Sequence, residues 1–256
     1  MNNCAALLAI ASLLVNPLTS FADHHEQRGL LDKVWTFVPK NGSELQFQKA
    51  FAEHAQWRRD NKDPWRWDVY VEVDGPEVGA RHARSGDHHW SDFDAYDASA
   101  FSAKASAHWN TNVAPHLADI RCTIGKYLPD ISNWTEDAPE YRLFQLHRTR
   151  VRIGQMQKYI AAVGAIAKVL KDAKWPYHWG FHEFVSGPAP TVLLVLPSMK
   201  WADMADPKPD LWETMAGAVG EEKSAQMWAD LDATIESTEV TIVRHMPDLT
   251  VMAAQK

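Results

Sequence analysis

Thr123-Ile124-Gly125-Lys126-Tyr127-Leu128-Pro129-Asp130-Ile131-Ser132 is answered 118 residues later by Thr241-Ile242-Val243-Arg244-His245-Met246-Pro247-Asp248-Leu249-Thr250. Both segments begin as strand formers, carry a basic residue and then a ring, and stop at Pro-Asp, where proline has no N–H for a ladder. Three further pairs keep the same order. Pro64-Trp65-Arg66-Trp67 recurs as Pro176-Tyr177-His178-Trp179, each followed by a strand pattern and Gly-Pro (Gly75-Pro76, Gly187-Pro188). Trp90-Ser91-Asp92-Phe93 recurs as Trp201-Ala202-Asp203-Met204, and Gln48-Lys49 as Gln157-Lys158. The offsets are 112, 111 and 109 residues, so only small insertions separate two copies of one unit.

Each copy reads as β-α-β-β-α-β. In the second, strands are predicted at 141–147, 179–185, 191–196 and 239–246. A helix covers 151–173, where Ile153, Met156, Ile160, Val163, Ile166 and Ala167 recur at helical spacing. Another covers 210–235, broken near Gly217–Gly220. In the first copy the strands fall at 34–38, 67–73, 79–84 and 122–128. Its helices fall at 43–61, with Ser43 and Gln46 as a capping box, and at 98–120. The third strand is polar in copy one (Arg81, His82, Arg84) and apolar in copy two (Leu193, Leu194, Val195). The expected division is a signal at 1–22, a tail at 23–32, units at 33–132 and 140–250 joined by a linker at 133–139, and a tail at 251–256.

This order is the ferredoxin-like unit, an antiparallel sheet with both helices on one face. The other face needs cover, and two copies supply it for each other, giving an α+β barrel around a central pocket. On the doubled order and the paired Trp and Pro-Asp motifs, the chain resembles the dimeric α/β-barrel superfamily in its tandem-duplicated form. It is similar to antibiotic-biosynthesis-monooxygenase-like and NIPSNAP-like proteins. The resemblance implies small-ligand binding, cofactor-free oxidation or haem-assisted oxidation. It carries no functional residue onto a position of this chain.

Composition narrows the partners. Hydrophobic content of 46% with 23% charged residues is that of a globular chain with a real core. A net charge of −7 lacks the basic footprint that nucleic acid or an anionic membrane requires. Residues 5–15 are apolar apart from Ser12, Pro17 ends the run, and Ser20-Phe21-Ala22 fits a cleavage site, so the protein is expected to be exported. Removing residues 1–22 leaves Cys122 as the one cysteine, which excludes an internal disulfide. It also leaves no anchor in a membrane. A homodimer of the fused pair stays open.

Alternation divides the second strands into two faces. Trp67, Val69, Val71 and Val73 match Trp179, Phe181, Glu183 and Val185. The opposite face carries Arg66, Asp68, Tyr70 and Glu72, matched by His178, Gly180, His182 and Phe184. The second set is expected to face the interior. His182, His245, His147 and Tyr70 are the candidate proton carriers, because imidazole titrates near neutrality. His178, Arg66, Tyr127 and Glu72, with Trp67 and Trp179 at the strand starts, are the candidate ligand contacts. His178 and His182 lie about 13 Å apart along a strand, too far to share one metal. A separate candidate metal loop holds His82, His88 and His89, and cleavage after Ala22 would place His25 third from a free amine, a copper-binding arrangement. Haem or a divalent metal is compatible with these residues, and none is required. No Gly-rich phosphate loop, Gly-x-Ser-x-Gly elbow, Cys-x-x-Cys pair or His-Glu-x-x-His helix is present, which disfavours nucleotide, hydrolase and zinc-protease chemistry. Three readings remain open: a small-molecule binder with a Trp/His-lined pocket, a monooxygenase-like oxidoreductase, and a structural protein with a filled interior.

Overall fold

The computed structural model describes residues 29–254 other than 136 and 189. The expected signal segment and His25 lie outside the described residues. The first unit runs β1 (Leu31–Pro39), α1 (Glu44–Asp60), β2 (Asp68–Asp74), β3 (Arg81–His88), α2 (Trp90–Asp97), α3 (Ala100–Asn112) and β4 (Leu117–Tyr127). The second repeats it as β5 (Leu143–Val151), α4 (Met156–Asp172), β6 (Gly180–Phe184), β7 (Thr191–Ser198), α5 (Leu211–Val219), α6 (Glu221–Asp232) and β8 (Ile235–His245). The helix break expected near Gly220 is present, where that residue takes φ +89° and ends α5. The single helix expected over 98–120 is instead α3, which stops at Asn112. A 3-10 turn, Ala114–His116, then carries Pro115, which cannot continue a helix, and β4 starts at Leu117. Ser43 does precede α1, but its side chain makes no capping bond.

The two sheets do more than face each other. They join edge to edge, β2 with β8 and β4 with β6, into one closed antiparallel barrel ordered β1-β3-β2-β8-β5-β7-β6-β4. Joining these edges pairs strand ends that would otherwise be bare, and eight strands leave room for a small ligand. The repeated motifs make the seams. Trp67 and Val251 exchange backbone bonds of 2.8 and 2.9 Å, and Asn133 and Trp179 exchange bonds of 2.9 and 3.0 Å in the equivalent place. Met246 N–H reaches Val69 C=O at 2.7 Å, as Leu128 N–H reaches Phe181 C=O at 2.8 Å. The hairpin glycines Gly75 (φ +138°) and Gly187 (φ +99°) each lie against a threonine from the other copy, Thr241 and Thr123. Both their backbone angle and that close approach exclude a side chain.

Helices cover the outside of the barrel over two cores. Aligned on Glu44 and Met156, the 17-residue helices α1 and α4 bury equivalent positions: Phe47 with Tyr159, Phe51 with Val163, His54 with Ile166, Ala55 with Ala167. That alignment sets Gln48 against Ile160, so the Gln-Lys match in the sequence is not a structural equivalence. Phe47, 1% exposed, contributes about 1.5–3 kcal/mol by burial, and Phe47→Ala would cost about 3–5 kcal/mol. Trp67 packs in the first core and Trp179 in the second. Both are therefore structural and do not reach the interior, because the alternation that turns Tyr70 and His182 inward turns them outward.

Candidate active site in the barrel cavity

The barrel encloses a cavity of about 860 Å³. Its wall is chemically two-sided. The first unit contributes Asp32 and Thr36 from β1, Tyr70 and Glu72 from β2, His82 and Arg84 from β3, and Tyr127 from β4. The second contributes Phe144 and Leu146 from β5, Phe184 from β6, Leu193 and Val195 from β7 and Val243 from β8, with His182, Arg148, Glu239 and Thr241 as its polar residues.

Asp32 is the hub. Its Oδ1 accepts from Arg84 Nη2 at 2.6 Å and its Oδ2 from His182 Nδ1 at 2.6 Å, so one carboxylate ties the two copies together. Burial alone would raise this carboxyl, which is 4% exposed, but Arg84 and His182 outweigh it and hold its pKa at about 2. Burial likewise works against the charge on Arg84, yet Asp32, with Tyr70 and Asp68 behind it, raises the guanidinium pKa. Gly86 is where it is because a Cβ there would fall 2.5 Å from both Arg84 Nη2 and Asp32 Oδ1. The carboxylate holds Nδ1, which leaves Nε2 as the ring nitrogen that Asp32 does not engage.

Two tyrosines flank the hub across the seams. Tyr127 lies 5.2 Å from His182 between ring centroids, and Tyr70 lies 5.3 Å from His245. Each pair sits directly opposite in strand register, one at β4–β6 and one at β2–β8. Burial, with Asp68 adding, pushes the Tyr70 phenol up to about 12, and burial raises Tyr127 in the same direction. Both phenols stay protonated near neutrality and present O–H donors.

The remaining sequence candidates distribute around this centre. His245 Nε2 bonds Thr250 Oγ1 at 3.0 Å and lies 4.0 Å from Asp68, at the edge of the polar end. Burial pulls it below the ordinary histidine value, with Asp68 and Glu140 opposing. His147 is outside: its neighbours Leu146 and Arg148 line the cavity, so its own ring turns to the helices, where Nε2 is buried without a partner. His178 sits over the mouth, bonded to Tyr141 (2.7 Å) and Thr135 (3.1 Å) and stacked on Trp134. Arg66 pairs with Asp68 at 2.8 Å and does not line the cavity. Trp134 is the one tryptophan among the described residues that does, so the expected Trp-lined pocket is an aromatic rim only.

The expected metal loop is taken apart by a bulge. The β1–β3 register shifts between Leu31 and Lys33, and Asp87 takes φ +64°. His82 therefore faces the cavity, while His88 packs on Trp65 at 4.0 Å and bonds Ser85 at 2.7 Å on the helix side. His89 caps α2 at the surface. Among the described residues no three His, Cys, Asp or Glu side chains gather as a metal site. Sequence reading missed Asp32, assigned to a tail, and Arg84, noted only as polar. The polar third strand of copy one was the available signal.

No family model matches the sequence, and no curated protein matches it. Solved structures do. A monooxygenase candidate from Lactobacillus acidophilus superposes with a TM-score of 0.54 at 8% identity, covering 88% of this chain and 97% of that one. An anthrone oxidase-like protein gives 0.54 at 10%, covering 88% and 96%. Chlorite dismutase from Candidatus Nitrospira defluvii, in complex with imidazole, gives 0.52 at 7%, covering 90% and 96%. Such identities speak for the fold alone. The chain has the dimeric α/β-barrel architecture, with both ferredoxin-like units supplied by one polypeptide.

Proposed function

We propose that this protein is an exported oxidoreductase of monooxygenase type, which binds a small, partly apolar molecule in the barrel and removes an acidic proton from it before reaction with O2. The observation that carries the reading is the carboxylate-clamped imidazole: Asp32 holds both His182 and Arg84 at 2.6 Å inside a cavity that also presents Phe144, Leu146, Leu193, Val195 and Val243. The apolar body of the substrate lies against Phe144, Leu146, Leu193, Val195 and Val243. Its acidic end meets Arg84, Tyr70 and Tyr127.

The chemistry suits a methylene or phenol activated by a carbonyl, as in an anthrone. His182 Nε2 takes the proton, and Arg84 with the tyrosine O–H groups stabilises the resulting oxygen anion. The electron-rich carbon then gives its electrons to O2. One oxygen atom becomes the new C=O and the other leaves as water, so CH2 plus O2 gives C=O plus H2O. With anthrone as substrate, oxygen uptake should match anthraquinone formation one to one, and His182→Ala should lower the rate about 10²–10⁴-fold. Binding of anthrone without oxygen uptake would make the protein a carrier of such molecules instead. Export rests on residues 5–22, and is checked by N-terminal sequencing of the mature protein.

The same clamp favours a second reading. An imidazole with Nδ1 tied to a carboxylate has the donor chemistry that haem iron would require. His182 would hold the iron, with Arg84, Tyr70 and Tyr127 available beside it. A bound haem would supply one-electron and O2 chemistry. A Soret band on adding haemin that His182→Ala abolishes would support this, and a spectrum unaltered from free haemin would remove it.

A further inference from the structure

Beyond the His182 centre, the cavity has a second polar end that the reaction above does not use. Glu72 is 3% exposed and lines the cavity. Its Oε1 accepts from Glu77 N–H at 2.5 Å. Its Oε2 lies 3.6 Å from His82 Nε2, beyond hydrogen-bond reach. His82 is fixed at its other nitrogen by Thr36 Oγ1 at 3.0 Å, and its Nε2 is buried with no partner. Among the described residues no lysine or arginine pairs with Glu72. A buried imidazole nitrogen left without a partner beside a buried carboxylate is unfavourable unless a third group completes it.

We propose that Glu72 and His82 form a second recognition site, for a hydroxyl carried at the end of the ligand opposite the oxygen held by Arg84. This rests on the reading of the cavity as a ligand site. A hydroxyl is the group that satisfies both residues at once, donating to Glu72 Oε2 and accepting from His82 Nε2. The spacing sets the ligand length. Asp68 and Tyr70 lie opposite Arg84 and His82 in the β2–β3 register, so His82 stands two residues, about 7 Å, along from Arg84, with Glu72 two residues beyond Tyr70. Val34, between Asp32 and Thr36 on β1, and Leu146, Leu193 and Val195 of the second unit give the cavity apolar wall. The substrate class is therefore an elongated apolar molecule with an acidic oxygen at one end and a hydroxyl at the other. The second unit lacks this pair, since Phe184 and Leu193 occupy the places equivalent to Glu72 and His82.

Two rigid fluorescent probes separate this proposal from the reading beneath it: 2-naphthoate, with a single acidic end, and 6-hydroxy-2-naphthoate, with a hydroxyl at the far end of the same frame. Titrated into the full chain, the hydroxyl probe should bind about tenfold tighter. In Glu72→Gln the two probes should bind alike, while 2-naphthoate keeps its wild-type affinity. Equal binding of both probes to the wild-type protein overturns the hydroxyl site and leaves the ligand cavity standing. Failure of both probes to bind overturns the cavity reading and this inference together. Should Glu72→Gln not fold, His82→Leu serves in its place, and retained preference for the hydroxyl probe in either variant contradicts the assignment.

Discussion

At β1 and β3 the first unit turns Asp32, Thr36, His82 and Arg84 into the barrel, whereas β5 and β7 of the second turn in Phe144, Arg148, Leu193 and Val195 at the equivalent places. The seams show no such divergence. Ser132 Oγ accepts from Phe181 N–H at 2.8 Å, and Thr250 Oγ1 stands against Val69 N–H at 3.5 Å in the same position. Away from the seams a helix-start bond is also kept, with Asp92 accepting from His89 N–H at 2.7 Å and Asp203 from Lys200 N–H at 3.2 Å. Duplication has left two kinds of position. Those that close the barrel make equivalent backbone bonds in both copies, and those that look into it have separated into a wall built around Asp32 and Arg84 and a more apolar wall. One molecule can then be gripped by an acidic end and an apolar face together, which neither wall alone permits.

Exchanging the walls gives the largest expected effect. Arg84→Val places in copy one the residue that copy two has at Val195, and strands Asp32 without its main cation. Asp32→Leu strands Arg84. Each single change should cost about 3–5 kcal/mol, because an uncompensated charge is left buried. The double variant should cost well under the sum, a coupling read from urea unfolding as a double-mutant cycle. The pair is also acid-sensitive. Asp32 has a folded value of about 2 against an ordinary 3.8, so its stabilisation is present above about pH 4 and is lost as pH falls towards 2.

A milder contrast lies in the helix cores, where His54 occupies the place of Ile166. His54 is 3% exposed and bonds His108, Nδ1 to Nδ1, at 2.9 Å. Burial, with Arg58 and His108 adding, holds it at about 3 instead of 6.5. The unfolded chain takes up this proton near pH 6.5 and the folded chain not until about 3. Stability should therefore fall by up to about 1.4 kcal/mol per pH unit across that window, and be independent of this group above it. His54→Ile, copying the second unit, should flatten that part of the pH–stability curve. The smallest contrast tests the seams themselves. Ser132→Ala leaves the buried Phe181 N–H unpaired and should cost about 1–3 kcal/mol, while Thr250→Ala, with its longer contact, should cost about 1 kcal/mol or less.

The fold was legible because its closure is local in sequence. Each seam is written as a short motif, Pro-aromatic-basic-Trp or strand-Pro-Asp, and repeats of such motifs survive side-chain drift elsewhere. Tyr70, Glu72 and His182 were legible as inward-facing, since strand alternation needs nothing beyond neighbours in the chain. The hub was not. Asp32 and His182 stand on strands of different copies that meet only when β4 joins β6, and no local pattern announces that contact. The loop at Asp87 misled for a related reason: its bulge breaks the alternation that would have kept His82 and His88 on one face. His147 failed on register alone, one residue from two cavity positions.

Binding of 2-naphthoate to the wild-type chain and to the Asp32→Leu/Arg84→Val double variant tests most directly whether the charged wall holds the ligand. The account expects one molecule bound per chain in the wild type, affinity lowered at least tenfold in the double variant, and no change in His147→Ala, which lies outside the cavity. Equal affinity in the wild type and the double variant would contradict it, because the ligand would then be held without the centre built around Asp32.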